Sequence, residues 1–243
     1  MPDNPLFPTT IETDRLRLEA LTLETMEQAD VLALYDRCSN DPDIERVTKY
    51  LSWDPHTTPK DTLEFLEDVT DRWTECGGGS YAIYPTDGED GAGEFAGDAG
   101  FGVDWDARTM TLGIWLRKRF WGRGYSGERA AAMMALAFDR LDLEVVVIEA
   151  HVDNEPSNRA IQRYVERHGG RREGLLRNWR ADGGDPVDCY RYTVARDEYL
   201  NTRDDVTVTV SFDGETVVPV GEEGDEARLT DVDCDQETCD ETP

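Results

Sequence analysis

The chain has 243 residues, 38% of them hydrophobic, enough for one large domain or a domain with an appendage and well above the composition of a disordered chain. Fifty-three acidic residues against 25 basic ones give a formal net charge of −28, a field that opposes a nucleic-acid backbone as partner. No run approaches the roughly 18 apolar residues that cross a bilayer, and Met1-Pro2-Asp3-Asn4-Pro5 starts no basic-then-apolar leader, so a cytoplasmic protein without a membrane partner is expected.

A first strand is expected over residues 11–21, with Leu16 and Leu18 on one face and Arg15 and Arg17 on the other. Thr22 reads as the N-cap of a helix over 23–38, in which Leu23, Met26, Val31, Leu34 and Tyr35 recur at helical spacing until Asn40-Asp41-Pro42. A second helix fits 59–75, with Leu63, Leu66, Val69 and Trp73 on one stripe and Gly77-Gly78-Gly79 at its end. Strands at 80–84, 95–104 and 109–116 then form an antiparallel meander. Its connections are a Gly- and Asp-rich segment over 85–94 and a short turn at Asp106-Ala107-Arg108.

The pattern changes after this meander. Ala130, Met133, Met134, Ala137, Phe138 and Leu141 mark a helix over 127–141, and 145–152 is a nearly continuous apolar strand of the kind covered on both faces. Asp153-Asn154-Glu155-Pro156 leads into a helix over 157–168, followed by strands at 171–176 and 187–195. The expected organisation is a domain over 10–200, a β-hairpin over 201–220 turning at Asp213-Gly214, and an acidic, disordered tail over 221–243. The hairpin is also a candidate surface for a homodimer.

Five cysteines (Cys38, Cys76, Cys189, Cys234 and Cys239) include no Cys-x-x-Cys and are not spaced with the histidines as zinc ligands, so no metal is expected. Cys234 and Cys239 are close enough in sequence for a disulfide, but a reducing cytoplasm favours free thiols.

The densest chemistry lies at 115–127, where a strand ending at Leu116 is followed by Arg117-Lys118-Arg119-Phe120-Trp121-Gly122-Arg123-Gly124-Tyr125-Ser126 and a helix. Unpaired N–H groups and the dipole of a helix start form an anion site, and glycines let the backbone approach the anion. Four cations within seven residues reverse the local sign of charge in an acidic protein. The alternative is a basic surface turn that pairs with neighbouring carboxylates. Gly122, Gly124 and Gly127 also spell G-x-G-x-x-G, with Glu149 at a strand end further on, as in an NAD-binding oxidoreductase. Against that, five bulky or charged residues separate the strand from Gly122, and the unit follows a meander rather than opening βαβ repeats.

Arg119, Gly122 and Gly124 also match the Arg/Gln-x-x-Gly-x-Gly/Ala acetyl-CoA loop of the GNAT superfamily, which this segment resembles. Thr13-Asp14-Arg15-Leu16-Arg17-Leu18, Asn154-Glu155-Pro156-Ser157 and the run from Gly169 to Asn178 are similar, in order, to segments of the RimJ/RimL type of ribosomal-protein N-terminal acetyltransferase. The resemblance covers about residues 10–200; Gly169-Gly170 stands where that type has Gly-Phe, and the helix after Asn154 is about one turn longer. An acidic surface with three lysines (Lys49, Lys60 and Lys118) also resembles halophile proteins, whose self-repulsion is screened where the Debye length is about 3 Å.

The resemblance implies an α+β GNAT fold: a mixed, mostly antiparallel sheet of six to seven strands, splayed at 109–116 and 145–152, with about four helices. It implies acetyl-CoA as cosubstrate, held by Leu116, Arg117, Arg119, Phe120, Trp121, Gly122, Arg123, Gly124, Tyr125, Ser126, Asn154 and Ser157. The reaction implied is direct acetyl transfer to a primary amine, either a protein N terminus or a small molecule. Ser157 and Tyr164 are the hydroxyls suited to protonate the leaving thiolate, although the first also reads as a helix cap and the second as core. Glu149, Asp98, Asp104 and His151 are candidate bases, and Trp53 and His56 are candidates for the acceptor wall. A catalytically silent acyl-CoA-binding module is the alternative of a different class.

Overall fold

The computed structural model describes residues 6–26, 28–182, 185–202 and 209–217. The alternation expected near the start is real, but the strand folds back on itself. Thr13 N–H donates to the Leu16 carbonyl at 2.8 Å, which makes a hairpin of β1 (Thr10–Glu12) and β2 (Leu16–Ala20) with Ile11 opposite Leu18. Leu16 and Leu18 are buried while Arg17 points out. Thr22 does not cap a helix. The Thr25 hydroxyl donates to the Ala20 carbonyl at 2.6 Å and accepts from the Thr22 N–H at 3.0 Å, and this local turn holds off helix α1 until Gln28–Ser39.

A short helix, α2 (Ile44–Thr48), follows where only a break was expected. Helix α3 (Pro59–Thr74) matches its expected span and starts at a cap in which Asp61 Oδ2 accepts from the Thr58 N–H at 2.9 Å. The meander comprises β3 (Gly78–Pro85), β4 (Gly97–Asp104), β5 (Thr109–Leu112) and β6 (Trp115–Leu116). A 3-10 turn (Lys118–Phe120) leads to α4 (Tyr125–Ala135), which runs out through a π-turn at Leu136–Arg140. Then come β7 (Val145–His151), α5 (Glu155–Arg167), the long hairpin β8 (Arg171–Asp182) and β9 (Asp185–Ala195), the short helix α6 (Arg196–Thr202), and β10 (Val210–Phe212) with β11 (Glu215–Val217).

The described strands form one sheet in the order β11-β10-β1-β2-β3-β4-β5-β7-β9-β8, with β6 beside β4. It has eleven segments rather than six or seven, because two expected strands are each split and the tail hairpin joins its edge. Every neighbouring pair is antiparallel except β5 and β7. The parallel register runs from Thr109 opposite Val145 to Leu112 opposite Ile148 and stops there. Beyond it, β6 pairs with β4, while Glu149, Ala150 and His151 pair with β9. The sheet therefore opens between residues 113–116 and 149–151.

The sheet's two faces bury different clusters. Ala82 and Trp115 pack with Leu34, Cys38, Ile44, Val47 and Leu66 from α1, α2 and α3. Tyr81, Ile83, Met110, Val146 and Ile148 pack with Met133, Met134, Ile161 and Val165 from α4 and α5. A side chain at Gly170, between α5 and β8, would put its Cβ 2.1 Å from the Thr193 carbonyl, so the helix meets the sheet there by backbone contact. The expected acidic tail and the Cys234–Cys239 pair lie outside the described residues; Cys38, Cys76 and Cys189 are free thiols. Among the described residues, no helix is long and apolar enough to cross a membrane.

The tail hairpin belongs to the packed unit: β10 pairs with β1, Phe212 is buried opposite Ile11, and Asp213 Oδ1 accepts from Thr9 Oγ1 and the Thr10 N–H. Phe212→Ala is expected to cost roughly 3–5 kcal/mol of stability, read as a lower denaturation midpoint. An unchanged midpoint would mean that the hairpin folds independently of the sheet.

Candidate cofactor and catalytic site

The opening between β6 and β7 sets the geometry of the candidate site. The Arg117 N–H donates to the carbonyl of Ala96, just before β4, at 2.8 Å, so strand alternation turns the N–H and C=O of Leu116 the other way, toward the gap. The Leu116 carbonyl accepts the Trp121 indole N–H at 2.7 Å, which leaves its amide facing the opening.

Past the 3-10 turn, Gly122 and Gly124 take left-handed φ values of 78° and 83°. Among the described residues, the N–H groups of Gly122, Arg123, Gly124, Tyr125 and Ser126 have no protein acceptor. Together with the α4 dipole they form an arc of five outward donors suited to an oxyanion.

The cations of this segment are not free. Arg117 is buried, its Nε donating to Asp41 Oδ2 at 2.7 Å and its Nη1 to the Phe95 carbonyl. Lys118 pairs with Asp43, Arg119 with Glu94 Oε2 at 2.6 Å, and Arg123 with both the carbonyl and the carboxylate of Asp90 at 2.7 Å. The Tyr125 hydroxyl donates to Glu89 at 2.6 Å. The acidic segment 85–94, which read only as a connection, thus supplies the partners of Arg119, Arg123 and Tyr125, and the loop after α1 supplies those of Arg117 and Lys118. A Cβ at Gly91 would lie 2.9 Å from the ring of Phe120, around which Arg117, Arg119 and Arg123 are arranged. The charges therefore pair with neighbouring carboxylates as in a basic surface turn, and the backbone N–H groups are the donors left open to an anion. Exposed pairs such as Arg119–Glu94 are worth roughly 0–1 kcal/mol, little enough for a phosphate to displace the carboxylate. The G-x-G-x-x-G reading does not fit: that fingerprint follows a strand of a parallel sheet, whereas β6 pairs antiparallel with β4.

On the α1–α3 side of the sheet, strand alternation separates the candidate bases. Val146, Ile148 and Ala150 face α4 and α5, so Glu149 and His151 face the opposite side. Glu149 is the first β7 residue beyond the last pair with β5. Its Oε2 accepts from the Trp179 indole at 2.5 Å and from Arg180 Nη2 at 3.2 Å, and its Oε1 has no protein donor among the described residues. His151 Nδ1 accepts from the Asp153 N–H at 3.0 Å, so in the neutral ring Nε2 carries the proton and no nitrogen is left to act as base. Asp104 is at the far end of the sheet, accepting from the Ala107 N–H. Asp98 is buried one strand away from the opening, and burial pushes its carboxyl up to about 7. Of the four candidate bases, Glu149 and His151 stand at the gap, and of these two Glu149 keeps an oxygen without a protein donor among the described residues.

The segment after α2 bridges this opening. Tyr50 packs against His151 on β7 with ring centroids 5.0 Å apart, and Trp53 against Trp115 on β6 at 5.4 Å. His56 is set back: Nδ1 shares a 2.8 Å hydrogen bond with Thr62 Oγ1, and burial holds its pKa below the ordinary value despite Asp61. Trp53 thus lies beside the opening and His56 is set back from it.

The hydroxyl candidates also part. Asn154 caps α5, its Oδ1 accepting from the Ser157 N–H at 3.3 Å, and Ser157 lies half-buried in the first helical turn, just beyond β7. Tyr164 lies deep between α5 and α4, its hydroxyl unpartnered and pushed up to about 12 by burial. That makes it a poor proton donor.

Three residues outside the expected set organise the site. Asn158 donates to the carbonyls of His151 and Asn154 and accepts from the Tyr192 hydroxyl, welding β7 to α5. Arg15 and Glu128 link the β1–β2 turn to the start of α4. Of the three, Arg15 lies in the segment at 13–18, whose pattern carries no indication of its partner.

A family model of the acetyltransferase (GNAT) domain matches residues 20–164. Over 191 residues the chain is 26% identical to the uncharacterized N-acetyltransferase p20 of Bacillus licheniformis, covering 78% of this chain and 98% of that one. A GCN5-related N-acetyltransferase from Brucella melitensis superposes with a TM-score of 0.67 at 22% identity, over 83% of this chain and 85% of that one. RimL, a ribosomal L7/L12 alpha-N-protein acetyltransferase in complex with coenzyme A, superposes with a TM-score of 0.62 at 22% identity, over 76% of this chain and 96% of that one. Likeness at that identity shows a common fold.

Asp98 gives a test that is independent of activity. Burial favours its protonated form, so its contribution to stability is complete below the ordinary value of 3.8 and is lost as pH rises through about 7. Asp98→Asn is expected to gain stability relative to the wild type between those two values and to hold that gain above them. Urea melts across this range check it; a difference that does not change with pH would contradict it.

Proposed function

The chain belongs to the GNAT acetyltransferase family, and from that premise we propose that it transfers an acetyl group from acetyl-CoA to a primary amine at the opening between β6 and β7. The observation that carries this reading is the arc of acceptor-free N–H groups from Gly122 to Ser126, beside a strand pair that parts at Leu112 and Ile148. Acetyl-CoA supplies the acetyl group as a thioester. The donor set suits it: the arc at 122–126 would hold the pyrophosphate, Arg119 and Arg123 would exchange exposed carboxylates for phosphate, and the Leu116 amide would hold the arm.

The remaining chemistry falls to residues around the gap. Glu149 would take the proton of the attacking amine on Oε1, while Trp179 and Arg180 fix its other oxygen. Ser157, at the start of α5 beyond β7, would hydrogen-bond the leaving sulfur; Asn154 and Asn158 hold that turn in place. Tyr50, Trp53 and Trp115 would wall the acceptor side. Deprotonating an α-amine at pH 7 costs about 1 kcal/mol against roughly 4–5 kcal/mol for a lysine side chain. A single carboxylate with one free oxygen suits the α-amine of a protein N terminus or a small amine of similar basicity. An acidic chain of this kind is best assayed in concentrated KCl, where its self-repulsion is screened.

Calorimetry in KCl is expected to detect binding of acetyl-CoA and none of NAD; the reverse would sink this reading. With a panel of peptides, polyamines and amino sugars as acceptors, Glu149→Gln is expected to lower kcat by roughly 10²-fold or more with acetyl-CoA affinity unchanged. Thiol release unaffected by the substitution would remove Glu149 from the mechanism. Binding without turnover on any amine would instead favour the silent acyl-CoA-binding module.

A further inference from the structure

Arg15 lies at the turn between β1 and β2, over a hundred residues from the loop it touches. Its backbone N–H and its Nε donate to the two oxygens of Glu128 at 2.8 and 2.7 Å, and Nη2 pairs with Glu128 Oε2 at 2.6 Å. Thr13 Oγ1 donates to the same carboxylate at 2.7 Å. The remaining arm of the guanidinium, Nη1, donates to the Arg123 carbonyl at 3.0 Å, and the group lies over the Tyr125 ring at 5.4 Å. A Cβ built on Gly124 would sit 3.4 Å from Arg15 Nη2, so the guanidinium packs directly behind the glycine.

This geometry has two physical consequences. The peptide between Arg123 and Gly124 is trans, so its C=O and N–H point in opposite directions. A carbonyl held inward by Arg15 aims the Gly124 N–H outward, at the centre of the anion arc. Glu128 also sits one turn inside α4 and is almost fully buried; left alone, its charge would oppose any anion at the helix start. Arg15 cancels that charge.

We propose that Arg15 is a positioning residue for the cofactor's pyrophosphate: it orients the Arg123–Gly124 peptide and neutralises Glu128 without itself needing to touch the ligand. The inference rests on the cofactor reading given above. The fork of an arginine is required, because a lysine nitrogen at this place can pair with Glu128 but cannot also reach the Arg123 carbonyl in the same geometry.

The test is an NMR titration of the ¹⁵N-labelled full chain with inorganic pyrophosphate in KCl, following the Gly124 amide, together with calorimetry of acetyl-CoA. In the wild type the Gly124 amide should shift on titration. Arg15→Lys, which keeps the charge and the Glu128 pair, should melt close to the wild type yet lose the Gly124 shift and about tenfold in acetyl-CoA affinity. Arg15→Met should lose both the shift and the affinity at least as far. An undiminished Gly124 shift and unchanged affinity in Arg15→Lys would overturn the role assigned to Arg15. A wild type that does not respond to pyrophosphate, and does not bind acetyl-CoA, would overturn the cofactor reading itself and the role of Arg15 with it.

Discussion

The site depends on where one parallel strand pair ends. β5 and β7 are held together for four residues, from Thr109–Val145 to Leu112–Ile148, and every other pairing in the sheet is antiparallel. Past Leu112 each strand has a partner only on its outer side, so the gap opens without leaving a strand wholly unpaired. Three consequences follow from that one termination. The Leu116 amide faces an opening rather than a neighbour, Glu149 becomes the first β7 side chain at the gap, and the start of α4 lies just beyond the end of β6. A parallel ladder longer by two residues would take Glu149 out of the gap.

Electrostatics then decides which groups can bind an anion. In a chain of formal charge −28, every cation from Arg117 to Arg123 has found a carboxylate: Asp41, Asp43, Glu94 or Asp90. The buried Arg117–Asp41 pair pins the loop to the loop after α1, since removing either partner would strand a charge in a poorly solvated place. The more exposed pairs at Arg119 and Arg123 are exchangeable. Neutral backbone donors, oriented by two left-handed glycines and the helix dipole, supply what the committed side chains do not.

Much of this was legible in the sequence, and what was not has a common cause. Helix α3 and strand β7 were read almost to the residue, because a helical stripe and a continuous apolar run are local signals. Arg119, Gly122 and Gly124 mark the loop between β6 and α4, and both glycines take the left-handed conformation there. What failed were features set by partners far along the chain. Glu89, Asp90 and Glu94 read as part of a Gly- and Asp-rich connection, and only the fold brings them onto Tyr125, Arg123 and Arg119. Arg15 sits in the patterned segment at 13–18, yet its side chain bonds to Glu128 and Arg123. The sequence favours Glu149 as the base over Asp98, Asp104 and His151, and register and hydrogen bonding separate the four. The missed start of α1 has a different cause, since a single hydroxyl at Thr25 outbid the cap expected at Thr22.

The central claim is that the parted strands and the N–H arc form one continuous cofactor site. A crystal structure of the full chain with coenzyme A, grown in concentrated KCl, tests it most directly. The account predicts the pyrophosphate on the amides of Gly122 to Ser126, the arm along Leu116, and the thiol between Glu149 and Ser157. Coenzyme A bound elsewhere, with Glu94 and Asp90 still on their arginines and the gap between β6 and β7 closed, would contradict it.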